Sequence, residues 1–277
     1  MIEIGKYNNL VVKTKSTIGL FLTDDSDDIL LPIKYVPQGI EVGDMLNVFV
    51  YLDNDNRPIA TTVVPLAIVD DFAFLKVKDV NDHGAFLDWG ISKDIFVSYA
   101  EQRGEMHVGE KYLVYIFIDD VSGRIAATTK WIKHLDKDIS DLSDGDEVEL
   151  LIAEKTDLGY KAIIENRHEG LLYQNEIFDE INPGDKRRGY IKQLREDGKI
   201  DLRLQPEGYG HVEDTKLAIL KKLESNNGVL ALGDKSSPED IYRQLNISKK
   251  VFKKVVGGLF KERKITISDF EIRLVVK

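Results

Sequence analysis

The sequence predicts a mainly β chain with a C-terminal α+β domain, and three observations carry that expectation. Three markers recur along the chain at shared offsets, each copy holds about five short apolar stretches of period near two, and after residue 210 the apolar period becomes 3.6. The first marker is a Gly-led apolar segment: Gly19-Leu20-Phe21-Leu22, Gly84-Ala85-Phe86-Leu87 and, more weakly, Gly159-Tyr160-Lys161-Ala162. The second is a Gly-acid turn at Val42-Gly43-Asp44, Val108-Gly109-Glu110 and Pro183-Gly184-Asp185. The third is a basic hairpin at Arg57–Thr62, Arg124–Thr129 and Lys199–Arg203. Offsets are 65, 66 and 67 between copies one and two, and 75 for every marker between copies two and three. The chain therefore contains a tandem repeat.

In copy two (66–135) the apolar stretches are Ala73–Val77, Gly84–Trp89, Asp94–Val97, Lys111–Ile118 and Arg124–Thr128, many of them β-branched or aromatic. Five short strands in about 65 residues suit a small Greek-key barrel of the OB type. Copies one (1–65) and three (145–207) follow the same plan, giving three tandem OB-fold barrels. The ten extra residues before copy three fall near Lys133–Asp144, a stretch rich in Asp and Ser that reads as a linker.

Past Pro206-Glu207-Gly208-Tyr209-Gly210 comes the α+β domain (212–277). Lys216–Leu223 is a short helix and Val229–Leu232 a strand. Ser237–Leu245 is a helix with Ser236 or Ser237 as N-cap and Pro238 at its first position. After the turn Asn246-Ile247, Ser248 caps a helix from Lys249 to about Arg263, and Ile265–Ile267 with Glu271–Val276 forms a hairpin. This is the order of a winged helix-turn-helix. On its third helix Val251, Phe252, Val255, Val256, Leu259 and Phe260 form an apolar stripe, with Lys250, Lys253, Lys254, Lys261 and Lys264 opposite. Such lysines are either a solvated face or a backbone-phosphate contact. Gly257-Gly258 costs helix stability on the order of 1 kcal/mol each. Gly257 lies on the lysine side, so it either kinks the helix or admits a phosphate closely.

Copy two resembles the RNA-binding OB-fold domain named after ribosomal protein S-one. That family's "GAF", "GLVHIS", "VGD" and "D…R-I" elements stand here as His83-Gly84-Ala85-Phe86, Asp94-Ile95-Phe96-Val97-Ser98, Val108-Gly109-Glu110 and Asp120…Arg124-Ile125. In copy three Glu169–Asn175 matches the "GLVHIS" strand with Tyr173 in the His place, and copy one is the most diverged, with Ile29-Leu30-Leu31-Pro32 there. Three such repeats and a winged helix, with the Gly208-Tyr209 linker and Asp234–Tyr242 ("DKSSPEDIY"), resemble the bacterial conserved virulence factor B family over the whole chain. The resemblance implies an RNA-binding regulator of gene expression acting after transcription, without a catalytic centre.

It also implies the site. In copy two His83, Phe86 and Phe96 stand at the family's base-stacking positions and Asp120 and Arg124 at its polar pair, with Trp89 nearby. The alternative is that the phenylalanines fill the barrel. In copy three Leu158, Lys161, Tyr173, Arg195 and Lys199 correspond, with Arg187, Arg188 and Lys192 on adjacent strands. These form a phosphate-reading surface, or else cations balanced by the seventeen acids of residues 139–208. Copy one offers Ile18, Phe21, Leu30, Asp53 and Arg57 beside the run Asp24-Asp25-Ser26-Asp27-Asp28, which suits a protein partner or a spacer better than nucleic acid.

Composition narrows the rest. Residues 1–138 carry net −8, 139–208 net −7 and 209–277 net +5, so an anionic partner is expected at the C-terminal end. No apolar run exceeds seven residues, against about 20 for a membrane span, and the start shows no export signal. With no cysteine, scattered histidines (83, 107, 134, 168, 211) and no nucleophile or phosphate-loop motif, neither catalysis, a metal nor a cofactor is expected. The expectation is a cytosolic, non-catalytic protein that binds single-stranded RNA through copies two and three, with phosphate contacts from the winged helix. The alternatives are a scaffold on ribosome or polymerase components and a winged-helix DNA-binding regulator.

Overall fold

The structure is a computed structural model that describes residues 1–177, 180–206 and 212–275, with the side chains of 212–214 left aside. Its contacts divide the chain into two compact units, Met1–Leu135 and Asp136–Lys277.

The first unit holds two closed five-stranded barrels. Barrel one comprises β1 (Tyr7–Lys15), β2 (Gly19–Thr23), β3 (Asp28–Pro32), β4 (Met45–Leu52) and β5 (Pro58–Thr61). Barrel two comprises β6 (Phe72–Asn81), β7 (Gly84–Leu87), β8 (Ile95–Ser98), β9 (Lys111–Ile118) and β10 (Ile125–Thr128). In the second unit barrel three repeats the plan with β11 (Glu147–Thr156), β12 (Gly159–Ile164), β13 (His168–Tyr173), β14 (Lys186–Leu194) and β15 (Ile200–Arg203). In each barrel the third strand pairs in parallel with the fifth, and the fourth pairs with both the first and the fifth to close the sheet.

The repeated markers have physical causes. Gly19, Gly84 and Gly159 have φ of +149°, +154° and +148°. A Cβ there would lie 2.0–2.2 Å from the carbonyl oxygen of Leu31, Val97 or Leu172 on the next strand, so only glycine fits. The Gly-acid turn serves a bulge that no motif announced. The first strand of each barrel shifts register just after Val12, Val77 or Ile152. The amide of Gly43, Gly109 or Gly184 donates to the carbonyl of that residue at 2.8–2.9 Å. The bulge lets one long strand coil around the barrel while the turn satisfies the carbonyl it leaves.

Inside the first unit the two barrels share a core. Phe49 and Tyr51 of β4 are buried in the cluster that holds barrel two's Leu75, Leu87, Ile95 and Val97. Barrel three has its own core, and the expected linker is not free: Lys133–Leu135 belong to the first unit, and the part from Asp136 to Asp144 is folded onto barrel three. Arg167 binds Asp136 and Asp141 at 2.6 and 2.7 Å, and Ile139 and Leu142 pack on barrel three's apolar cluster. Alternating Asp, Ser and Gly looked like a linker because its two anchoring apolar residues are too few to make a period.

The winged helix consists of α1 (Val212–Ser225), β16 (Val229–Leu230), α2 (Pro238–Leu245), α3 (Lys249–Lys261), β17 (Ile265–Ile267) and β18 (Ile272–Leu274), the strands ordered β16-β18-β17. α1 runs longer than the expected Lys216–Leu223. Ser237 caps α2, its Oγ accepting from the Asp240 amide at 3.0 Å, whereas Ser236 is buried and accepts from Gly233. Asn246 closes α2 in the left-handed region and Ser248 caps α3. The Glu207–Gly210 linker and Val276 lie outside the described residues. On α3 Phe252, Val255, Val256 and Leu259 are buried as expected, but Phe260 is 53% exposed. It sits at the edge of the stripe. α3 continues through Gly257-Gly258.

Candidate nucleic-acid interface

Strand register carries one outward row across barrel two: Phe86 opposite Phe96, Phe96 beside Ala126, and Ala126 opposite Phe117. All four side chains are half-buried. The rings of Phe86 and Phe96 lie 5.1 Å apart, tilted by 44°. Three aromatics around an alanine make an apolar floor with a low centre. The floor opens into a cavity of about 600 Å³. His83 and Arg124 stand on its rim with Asn54 and Asn56 from the β4–β5 turn of barrel one.

The rim's charge follows from turn chemistry. Asp119 Oδ1 accepts from the amides of Val121 and Ser122 at 2.9 and 2.7 Å, which holds its carboxyl below the usual range. Asp53 does the same in barrel one, accepting from Asp55 and Arg57. Asp119 thus takes in barrel two the turn position that Asp53 has in barrel one. Asp120, singled out from the sequence, is an exposed turn residue, because the turn is one residue longer than in barrel one. That extra residue also changes the cation. Arg57 is paired at 2.8 Å with Asp53 and Asp55, and Lys199 of barrel three at 2.9 Å with Asp197. Arg124 has no carboxylate partner among the described residues.

Trp89 corrects a second expectation. It is 2% exposed, donates Nε1–H to the Ala67 carbonyl at 2.7 Å and meets Phe49 edge-on at 5.3 Å. Its indole holds barrels one and two together and presents no ring face for a base to stack on. Lys93, which the sequence did not single out, is a second tie. Its ammonium donates to the carbonyls of Leu52 and Asp53, both at 2.8 Å, and burial pushes its pKa down, with Arg124 adding to the shift.

Barrel three presents a different row: Lys161, Leu171, Asp201 and Gln193. Its register puts Leu171 where barrel two has Phe96, and Tyr173, opposite Gly159, where barrel two has Ser98. The motif match is thus offset by two residues, which keeps a side chain on the same face and so escapes period-two reasoning. Tyr173 donates to Asp201 at 3.1 Å, with the Lys192 ammonium 5.6 Å from its ring centre. Every singled-out cation here faces a carboxylate. Lys161 has Glu169 and Glu154 at 3.1 and 3.6 Å, Arg187 has Asp185 at 3.3 Å and Arg188 has Glu147 at 3.2 Å. Lys192 pairs with Glu176, and Arg195 lies 3.5 Å from Asp197.

Lys250, Lys253, Lys254 and Lys261 of α3 are exposed, as is Lys264 just beyond its end. Lys253 is paired with Asp234 and Lys264 with Glu262, both at 2.9 Å. Lys250, Lys254 and Lys261 have no ion-pair partner among the described residues. A Cβ on Gly257 would meet nothing within 4 Å, so the helix backbone is open to solvent amid these lysines. No group of described residues is arranged to hold a metal ion, and no described helix is long and apolar enough to cross a membrane.

The S1 domain, the S-one family named above, matches residues 4–63 and 72–130, and the CvfB-like winged helix domain matches 218–274. YitL of Bacillus subtilis is 30% identical over 274 residues, 94% of this chain and 90% of that protein. Conserved virulence factor B of Staphylococcus aureus is 25% identical over 246 residues, 86% of this chain and 82% of that protein. A solved multidomain protein with nucleic acid binding domains from Streptococcus pneumoniae is 25% identical and covers 98% of both chains, with a TM-score of 0.43. With S1 nucleic-acid-binding domains, a CvfB-like winged helix and 30% identity to YitL across 94% of its length, this chain belongs to the conserved virulence factor B family.

Proposed function

We propose that this protein is a non-catalytic RNA-binding regulator of gene expression acting after transcription, organised as four domains over 1–65, 66–135, 145–207 and 212–277. A single strand lies across barrel two, its bases stacking on Phe86 and Phe96 and its phosphates meeting Arg124. Barrel three and α3 add backbone contacts of their own. The observation that carries this reading is the Phe86–Phe96–Ala126–Phe117 row beside an unpaired arginine. Stacking on aromatics is worth about 1–3 kcal/mol per base and tolerates any base, which suits an OB face built for single strands. Lys250, Lys254 and Lys261 supply phosphate contacts that need no ion pair broken, whereas barrel three's cations must first leave their carboxylates.

The test is fluorescence anisotropy of a labelled RNA with unlabelled RNA, single-stranded DNA and duplex DNA as competitors. Phe86→Ala with Phe96→Ala should weaken single-stranded RNA binding by about 2–4 kcal/mol. Unchanged affinity in a variant that still melts cooperatively would remove the site from barrel two. Binding confined to duplex DNA would put the winged-helix regulator in its place.

A further inference from the structure

We infer that barrel one completes this site, and that the side-chain amides of Asn54 and Asn56 read the identity of the base stacked on Phe86 and Phe96. The inference rests on the proposed reading of barrel two as a single-strand platform. Barrel one's own row, Phe21, Leu30, Ile59 and Tyr51, ends in a tyrosine that is 4% exposed and packed into the core shared with barrel two. The Tyr51 and Ile59 end of that face is thus spent on the inter-barrel contact. What barrel one sends outward is the turn between β4 and β5, and that turn is anchored to barrel two. Lys93 of barrel two grips the Leu52 and Asp53 carbonyls, Tyr51 Oη lies 3.0 Å from Ser92 Oγ, and Asp53 organises the turn through the Asp55 and Arg57 amides.

Asn54 and Asn56 are the turn's two uncharged polar side chains that line the cavity, and both are exposed. Neither amide has a hydrogen-bond partner among the described residues. Asn56 has φ +61°, a left-handed conformation that asparagine tolerates. Hydrogen-bonding groups with no internal partner, carried on an anchored turn, and an aromatic floor lining the same cavity are the two components of base recognition. The rings bind any base, and the amides select among them. An amide offers a donor and an acceptor side by side, the complement of adenine's N6 amino group and N7, an edge that pyrimidines lack, and a purine covers more of the floor than a pyrimidine. The expected occupant is an adenine in a single strand.

The experiment uses the full chain and RNA oligomers of about ten nucleotides, rA, rU and rC, with affinities from anisotropy. The native protein should prefer rA over rC by about ten-fold or more. Asn54→Ala with Asn56→Gly, the glycine keeping the left-handed backbone, should cut that preference to about two-fold by losing rA affinity while rC affinity stays. Phe86→Ala with Phe96→Ala should weaken all three, rA the most because a purine covers more of the floor. If the phenylalanine variant loses binding and the asparagine variant keeps the rA preference, barrel one does not read the base and this inference falls alone. If the phenylalanine variant binds every oligomer as the native chain does, the platform reading falls with it.

Discussion

Barrels two and three share strand order, bulge, turn and register, yet they present opposite chemistry at the same positions. Barrel two's row is Phe86, Phe96, Ala126 and Phe117, with Arg124 unpaired at its edge. Barrel three's row is Lys161, Leu171, Asp201 and Gln193, and its hairpin cation Lys199 is held by Asp197. The barrel core sets where outward side chains stand but not what they are. A face rich in cations is therefore not by itself an anion-binding face. Where each cation already has a carboxylate within 4 Å, a phosphate gains only the difference between two ion pairs, and exposed pairs are worth roughly 0–1 kcal/mol to begin with.

The largest expected effect tests whether barrel two is as rigidly mounted as its contacts imply. Trp89→Ala should destabilise the unit containing barrels one and two by about 3–5 kcal/mol, leaving barrel three, which has Ile164 at the equivalent position, unaffected. Hydrogen exchange read peptide by peptide separates the two units, and equal protection loss in both would break the contrast. The next effect comes from converting one row into the other. Lys161→Phe with Leu171→Phe gives barrel three the aromatic pair of barrel two, and single-stranded RNA affinity should rise by about 1–3 kcal/mol. No gain in a folded variant would mean that the row alone does not define the platform.

A smaller effect compares unpaired with paired cations. Reversing Lys250, Lys254 and Lys261 to Glu should flatten the slope of log K against log salt by about 2, since each phosphate neutralised on a single strand contributes roughly −0.7. Replacing the paired Arg187, Arg188 and Lys192 with Gln should flatten it by less than about 0.7. Equal changes would show that ion pairing does not decide which cations meet phosphate.

The smallest concerns pH and again distinguishes the barrels. His134 stacks on Tyr115 with ring centres 4.0 Å apart, and its Nε2 is buried without a hydrogen bond. Burial lowers its pKa, with Lys133 adding to the effect, while burial and Asp70 push the Tyr115 hydroxyl up to about 12. Below pH 6.5 the unfolded chain takes up a proton at this histidine that the folded chain refuses. Stability from this contact is therefore full above pH 6.5 and declines as pH falls through that value toward the lower folded-state pKa. Urea midpoints across pH 5–8 should show the decline for the first unit, and His134→Phe should remove it. A decline that survives the substitution would assign it elsewhere.

The repeat and its class were legible in the sequence because they rest on residues chosen by local chemistry, with glycine alone fitting at three positions. Gly19, Gly84 and Gly159 press against a neighbouring carbonyl, Ser248 caps a helix, and alternating apolar residues fill a barrel whatever surrounds it. Nearest-neighbour chemistry of that kind is written locally. Tertiary structure decided the fate of side chains whose partners lie far along the chain. Trp89 faces inward because barrel one supplies Phe49, forty residues earlier. Phe260 faces outward because it lies at the edge of the stripe whose centre, Phe252, Val255, Val256 and Leu259, takes the core contacts. Tyr173 and Leu171 exchange roles because period two cannot tell a strand from its copy slid by two. Lys161 and Arg124 have opposite electrostatic surroundings although both are isolated cations in the sequence, since only cross-strand register brings Glu169 beside one and leaves the other open. Position along a strand is a local property, whereas charge neutralisation and burial are sums over neighbours that the chain acquires only when it closes.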